Sequence, residues 1–69
     1  MSVIKSNLKF FVDKKGISVR QVARDIDYRL ESVQNMYNDT MERYPRELLV
    51  KLCTYFDCEI NELLVIDDN

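Results

Sequence analysis

Apolar residues near the start of the chain recur with the spacing of one helical face. The first stripe holds four residues at i, i+4, i+7 and i+8: Ile4, Leu8, Phe11 and Val12. Two lysines close this segment, where they complement the negative end of the helix dipole. Gly16 follows them and is the residue best suited to a left-handed helix cap. The pattern therefore predicts a helix from about Val3 to Lys15.

Two shorter apolar stripes follow, separated by a break at Asp27. Ser18 can accept a hydrogen bond from a free amide of the first turn, so it predicts the start of a helix that ends near Ile26. The period resumes at Val33, which indicates a second helix from about Leu30 to Tyr37. Its outer side is polar and consists of Glu31, Ser32, Gln34, Asn35 and Asn38.

The last third of the chain predicts a loop and two further helices. Residues 38–44 have no helical period and are rich in turn formers. Pro45 suits the first turn of a helix, and the apolar residues after it predict a helix as far as Phe56. A last short turn of helix is expected from Ile60 to Val65.

The fold expected from these patterns is all-α, with five helices around one core in a single domain of residues 1–69. No segment shows the period-two alternation of a strand between turn signals. Connections are short enough for one compact unit. The predicted core contains Val22, Ala23, Val33, Leu49, Leu52 and Phe56.

The two central helices resemble the helix-turn-helix of the Cro and phage-repressor (Xre-type) DNA-binding family. The resemblance is carried by Gly16-Ile17-Ser18-Val19, Val22-Ala23, Asp27-Tyr28-Arg29 and Val33. It extends to Asn7-Leu8-Lys9 before the motif and to residues 45–64 after it, and so covers nearly the whole chain. It implies a compact five-helix, lambda-repressor-like domain whose helix-turn-helix spans about residues 18–37 and binds double-stranded DNA.

The resemblance also implies which side chains contact DNA. In helix-turn-helix proteins the second helix enters the major groove and the first crosses the backbone. The residues implied to read bases are Leu30, Glu31, Gln34 and Asn35. Those implied to contact the backbone are Ser18, Arg20, Arg24, Arg29, Ser32 and Asn38. An asparagine can bind adenine through two hydrogen bonds, a glutamate can accept one from cytosine, and a leucine can cover a thymine methyl.

Three residues depart from the family pattern. Val19 stands where the family often has a glutamine that contacts DNA, so one anchoring contact is expected to be absent. Asp27 replaces the turn glycine, which aspartate tolerates better than most residues because it visits the left-handed region more readily. Arg29 replaces the serine that caps the second helix; the cap contributes about 1 kcal/mol, whereas arginine brings a cation to the edge of the groove.

Charge is distributed unevenly, although the formal net charge is only −2. Residues 1–30 hold seven basic and three acidic side chains, a net charge of +4, whereas residues 31–69 hold three basic and nine acidic ones, a net charge of −6. The positive half contains the first helix of the motif, which favours a nucleic-acid partner. Ordinary solvated helix faces are the alternative interpretation of this asymmetry.

The composition provides few residues that could act in catalysis or bind a cofactor. The chain has no histidine and two cysteines, Cys53 and Cys58, too few ligands for a structural zinc site. We interpret both as core thiols, because disulfides are disfavoured in a reducing cytosol. With no glycine-rich phosphate loop and no recognisable pair of acids, we expect no enzyme activity, no cofactor and no small-molecule substrate.

The function expected is sequence-specific transcriptional regulation by a small repressor of phage, prophage or mobile-element type. The alternative is a protein-interaction module on the same fold, antirepressor-like or antitoxin-like, which the net acidity, Val19 and Glu31 favour. We expect a cytoplasmic protein, since no apolar run approaches the ~18 residues of a membrane span and the start lacks a signal peptide. A weak homodimer through Ile60–Ile66 is expected, because this segment is more apolar than a short helix needs; packing of the segment on the preceding helix is the alternative.

Overall fold

The computed structural model describes residues 2–67. Its elements in chain order are β1 (Val3–Ser6), α1 (Leu8–Lys15), α2 (Val19–Asp25), α3 (Leu30–Tyr37), α4 (Arg46–Phe56), α5 (Ile60–Leu63) and β2 (Leu64–Asp67). Five helices are present in the described residues, as predicted. Each begins and ends within a few residues of its expected bounds, except at the two ends of the chain.

The two strands show that the all-α prediction was wrong. β1 and β2 form a two-stranded antiparallel sheet in which Ile4 lies opposite Ile66 and Ser6 opposite Leu64. The first helix consequently starts at Leu8 rather than Val3, and the last ends at Leu63 rather than Val65. β-Branched residues occupy half of these strand positions and favour extended backbone. Because the partner strands come from opposite ends of the chain, no local period could reveal the pairing.

Polar contacts fix where β1 passes into α1. The amide of Asn7 donates to the carbonyl of Leu63 at 2.7 Å, which continues the ladder by one residue. The amide of Leu8 donates to Ser6 Oγ at 3.2 Å, and the amide of Ser6 donates to the Asp39 carboxylate at 2.9 Å. Both amides would otherwise lack partners at this junction, and the helix therefore begins after the strand.

The apolar stripes of α1 to α5 converge on one core. Its ten buried members are Leu8, Val12, Val22, Ala23, Ile26, Val33, Met36, Leu48, Leu52 and Leu63. Four of the six predicted core residues are among them. Leu49 and Phe56 are instead half-buried and pack on the edge of the core. Gly16 takes the predicted left-handed cap at φ 71°, and its amide donates to carbonyls of the last turn of α1.

The segment Ile60–Ile66 lies partly in the core and partly at the surface. Leu63 is buried in the core, Leu64 is half-buried against it, and Val65 and Ile66 pair with β1. Ile60, Val65 and Ile66 nevertheless keep exposed side chains, and the homodimer expected through this segment stays a prediction. No helix within residues 2–67 has the length and apolar character to cross a bilayer.

Replacement of Val33 by aspartate is expected to abolish folding. Val33 has no exposed surface, and an unpaired carboxylate in its place costs several kcal/mol, comparable with the whole stability of so small a domain. The measurement is a thermal melt followed by circular dichroism. Val50→Asp is the matched control, because the Val50 side chain of α4 is 62% exposed and should accept the charge with little loss. A cooperative melt of Val33→Asp at the parent temperature would contradict this packing of α3.

Candidate nucleic-acid interface

The turn between α2 and α3 is held by backbone hydrogen bonds around a left-handed aspartate. Asp27 adopts φ 57°, as its place at the turn predicted. The amide of Tyr28 donates to the carbonyl of Ala23 at 3.0 Å, and that of Asp27 donates to Arg24 at 3.2 Å. At the other end of α2, the Gln21 amide donates to Ser18 Oγ at 3.1 Å, which confirms the predicted cap. These bonds set the angle at which α3 leaves α2.

Side chains of α4 hold the C-terminal end of α2. The ammonium group of Lys51 donates to the Ile26 carbonyl at 2.9 Å, and the hydroxyl of Tyr55 donates to the Asp25 carboxylate at 2.6 Å. Gln21 donates to both oxygens of the same carboxylate, at 3.1 and 3.0 Å. The Tyr55 hydroxyl, and then the Gln21 amide, hold the pKa of Asp25 below its ordinary value because they stabilise the charged form. No sequence pattern predicted these contacts.

The outer face of α3 presents four polar side chains at i, i+3, i+4 and i+7: Glu31, Gln34, Asn35 and Asn38. This spacing places them on one side of the helix, opposite the buried Val33 and Met36. Asn35 is half-buried and the other three are exposed. We call these four residues the polar face of α3.

Two other residues predicted to contact DNA lie beside this face. Leu30 is half-buried and packs on the edge of the core, so only part of its side chain is available to a ligand. Ser32 is also half-buried. Of the six predicted residues between Leu30 and Asn38, four therefore share one face and two flank it.

Exposed arginines lie on α2 and at the start of α3. Arg20 and Arg24 are one helical turn apart on the exposed side of α2. Arg29 occupies the cap position of α3 with an extended backbone at φ −66° and ψ 132°, and its side chain makes no capping hydrogen bond. The expected loss of the serine cap is therefore observed, and the guanidinium group is exposed instead.

The segment after α3 is tied to the end of that helix. The amide of Thr40 donates to the Asn35 carbonyl at 2.9 Å, and its hydroxyl donates to the same oxygen at 3.3 Å. The hydroxyl also lies 3.5 Å from the side-chain oxygen of Asn35, at the limit of a hydrogen bond. Asp39 takes the left-handed conformation at φ 60° and bonds to Ser6 of β1. Sequence reasoning missed the contact of Thr40 with a predicted base-reading residue.

Charge around the polar face of α3 is mixed. Three exposed arginines precede it in the chain, whereas Glu31 lies within it and Asp39 and Glu42 follow it, all exposed. Arg43 in the segment after α3 is also exposed, so a duplex near this surface would meet both cations and acids. Among the described residues, no group of three or more histidine, cysteine or acidic side chains is placed to hold a metal ion.

Comparison with known proteins gives one family. The sequence model described as a Cro/C1-type HTH DNA-binding domain matches residues 7–69. No curated protein matches the chain. The matched residues include α1 to α5, the polar face of α3 and the three arginines, and they begin directly after β1.

The hydrogen bond from Tyr55 to Asp25 should have a measurable effect on the pKa of Asp25. Tyr55→Phe removes the first cause of the lowered pKa of Asp25, so that pKa should rise toward the ordinary aspartate value while Gln21 maintains part of the effect. A carboxyl-detected NMR titration measures it. Because the folded-state pKa is depressed, the stabilisation is present above the unfolded pKa and is lost as pH falls through the folded one.

Tyr28→Phe is the matched control for this titration. Tyr28 is a half-buried tyrosine in the turn before α3, and its replacement leaves both donors to Asp25 in place. An Asp25 pKa that stays the same in Tyr55→Phe would contradict the assigned cause.

Proposed function

The chain belongs to the family of Cro/C1-type helix-turn-helix DNA-binding domains, and we propose that it is a sequence-specific DNA-binding regulator that reads the major groove with α3. The observation that carries the proposal is the polar face of α3, which is presented outward because Val33 and Met36 are buried. A single α-helix fits the major groove, where each base pair presents its own pattern of donors and acceptors. The proposed domain comprises residues 1–69.

We assign base reading to Leu30, Glu31, Gln34 and Asn35. The carboxamides of Gln34 and Asn35 can each donate and accept toward adenine, and Glu31 can accept from the amino group of cytosine. The Thr40 hydroxyl lies next to the Asn35 oxygen and would help to orient its carboxamide. Leu30 can cover a thymine methyl with the part of its side chain that the core leaves exposed.

Backbone contacts would come mainly from α2. We assign them to Arg20, Arg24 and Arg29, supported by Ser18, Ser32 and Asn38. Arginine suits this role because its planar fork of donors matches phosphate oxygens. Val19 supplies no hydrogen bond where the family often has glutamine, so the arginines would carry a larger share of the affinity.

Regulation of this kind requires no catalytic group. A domain bound in the major groove occludes the DNA beneath it, so occupancy of an operator is sufficient for repression. We therefore propose a small cytoplasmic repressor of phage, prophage or mobile-element type, for which the support is the family and its characteristic helix pair.

A protein-interaction module of antirepressor or antitoxin type is the second candidate. It is favoured by one feature of the surface, the exposed acids Glu31, Asp39 and Glu42 in and after α3. Acidic side chains repel phosphates, and they match a basic protein surface instead. Selection of bound duplexes from a random pool separates the two candidates, because only a protein that reads base edges enriches a sequence motif.

We also propose a weak homodimer, since a lone helix-turn-helix covers few base pairs and two-fold dimers read half-sites about one helical turn apart. The support is the apolar pair Ile4 and Ile66, which lie opposite each other on one face of the β1–β2 sheet and are both exposed. A two-stranded sheet of this size is marginal alone and gains from further packing.

Alanine variants should separate base reading from phosphate anchoring. After a preferred duplex has been selected from a random pool, Asn35→Ala should lose about 1–3 kcal/mol on that site and little on random duplex. Arg20→Ala should weaken binding to both and reduce the slope of log affinity against log salt by about one. Titrations of each variant at several salt concentrations measure these effects.

Lys14→Ala is the matched control, because it removes one exposed positive charge beside Phe56 and Glu62 rather than on α2 or α3. Its affinity and salt slope should stay close to those of the parent. Equal weakening of both duplexes by Asn35→Ala would withdraw the assignment of Asn35 as a base-reading residue. A random pool that returns no enriched motif would favour the protein-interaction candidate.

The homodimer is tested by sedimentation velocity with and without the selected duplex. We expect two copies per site on DNA, and Ile66→Lys should reduce this to one because it places a charge in the apolar surface of the sheet. Val50→Lys, another exposed apolar residue outside the sheet, should leave the stoichiometry unchanged. One parent copy per site at saturation would contradict the dimer.

A further inference from the structure

The end of α4 brings the two cysteines of the chain together. Cys53 lies in the last turns of the helix, and Asp57 reverses the chain with a left-handed backbone at φ 53° and ψ 52°. The amide of Cys58 then donates to the carbonyl of Cys53 at 3.0 Å. In this type of helix end, the side chains of the two residues so bonded frequently contact each other.

The Cys58 thiol has Cys53 as a direct neighbour. Burial, followed by the adjacent Cys53 thiol, raises the pKa of Cys58 to about 11. Both thiols are free and half-buried. They contribute to the wall of an open groove of about 430 Å³ between α4 and α5, whose surface is mostly apolar and includes Leu49, Val50 and Ile60. A small reagent can therefore reach the pair from solvent.

We propose that Cys53 and Cys58 form an oxidisable dithiol, a modification site that closes into an intramolecular disulfide by exchange with a low-molecular-weight disulfide. One cysteine thiolate attacks the small disulfide, which forms a mixed disulfide and releases one small thiol. The second cysteine attacks the protein sulfur of that mixed disulfide and releases the other. The protein is oxidised by two electrons and loses two protons, and the small disulfide is reduced to two thiols.

Oxidation of this site is expected to be slow near neutral pH. The thiolate is the attacking species, so the raised pKa of Cys58 keeps this group protonated and unreactive near neutral pH. Because disulfides are rare in reducing compartments, oxidation is expected only when small disulfides accumulate. The two cysteines would then respond to the redox state and not to a particular partner.

Closure of the disulfide links the end of α4 to the segment that leads into α5. That segment carries Leu63 into the core and continues as β2, so the link restrains the C-terminal part of the fold. The four residues of the polar face of α3 do not line the groove. Oxidation should therefore change stability and leave DNA affinity within about twofold of its reduced value.

The test treats folded parent protein with oxidised glutathione at mildly alkaline pH. Mass spectrometry should show a monomer lighter by two hydrogen atoms, with both cysteines protected from alkylation, and the melting temperature should rise by several degrees. The same reaction in concentrated urea, where the chain is unfolded, is the control. It measures how readily two cysteines close together in sequence form a disulfide without help from the fold. The equilibrium constant for closure should be about tenfold or more greater in the folded chain, because a disulfide that stabilises the fold is itself stabilised by the fold.

Cys53→Ser and Cys58→Ser complete the design. Each variant should stop at the mixed disulfide with glutathione, or at the unmodified thiol, and should show no rise in melting temperature on treatment. The proposal is overturned if the folded parent retains two alkylatable thiols, accumulates the mixed disulfide without closure, or forms disulfide-linked dimers. It is also overturned if closure is no more favourable in the folded chain than in urea, since the fold would then contribute nothing to the pair.

Discussion

The burial of Val33 and Met36 is the constraint on which the rest of the structure depends. Both side chains are completely removed from solvent, and they fix the rotation of α3 about its own axis. A helix that buries these two residues must present Glu31, Gln34 and Asn35 on the opposite side. The polar face is therefore a direct consequence of core packing, and any substitution that loosens the core also changes what α3 presents.

The position of α3 is fixed by contacts more distant in sequence. Lys51 and Tyr55 of α4 hold the end of α2, and the left-handed Asp27 sets the turn that follows. The hydroxyl of Tyr37, at the end of α3, donates to Asp13 of α1 at 3.0 Å. Each bond is modest alone, since most are exposed. Together they attach the turn of the helix pair to α4 and the end of α3 to α1.

Much of this arrangement could be predicted from the sequence because it follows from local rules. Helical periods located α2, α3 and α4, Ser18 marked a cap, and Gly16 and Asp27 marked left-handed turns. The β1–β2 sheet could not be predicted, because its strands are short and come from opposite ends of the chain. The first apolar stripe fitted a helix, yet Ile4 lies in a strand.

The geometry of the candidate interface could be predicted to the same extent and for the same reason, whereas its contacts with DNA stay a proposal. The polar face of α3 follows from its period, so its residues were identified from the sequence alone. Two hydrogen bonds near this face could not be predicted: Thr40 to Asn35, and Ser6 to Asp39. They depend on how the loop after α3 folds back, and the spacing of apolar residues carries no information on that. Both hydrogen bonds hold the loop after α3, which has no apolar period, next to the predicted site.

Mapping of the bound surface by NMR tests the central claim most directly. Titration of isotope-labelled protein with its selected duplex should perturb the side-chain amide signals of Gln34, Asn35 and Asn38 and the backbone signals around Ser18. Signals from the exposed side of α4 around Val50 should change much less. The claim that α3 reads DNA would be contradicted if the duplex bound while the signals of this face stayed unchanged and perturbations lay elsewhere.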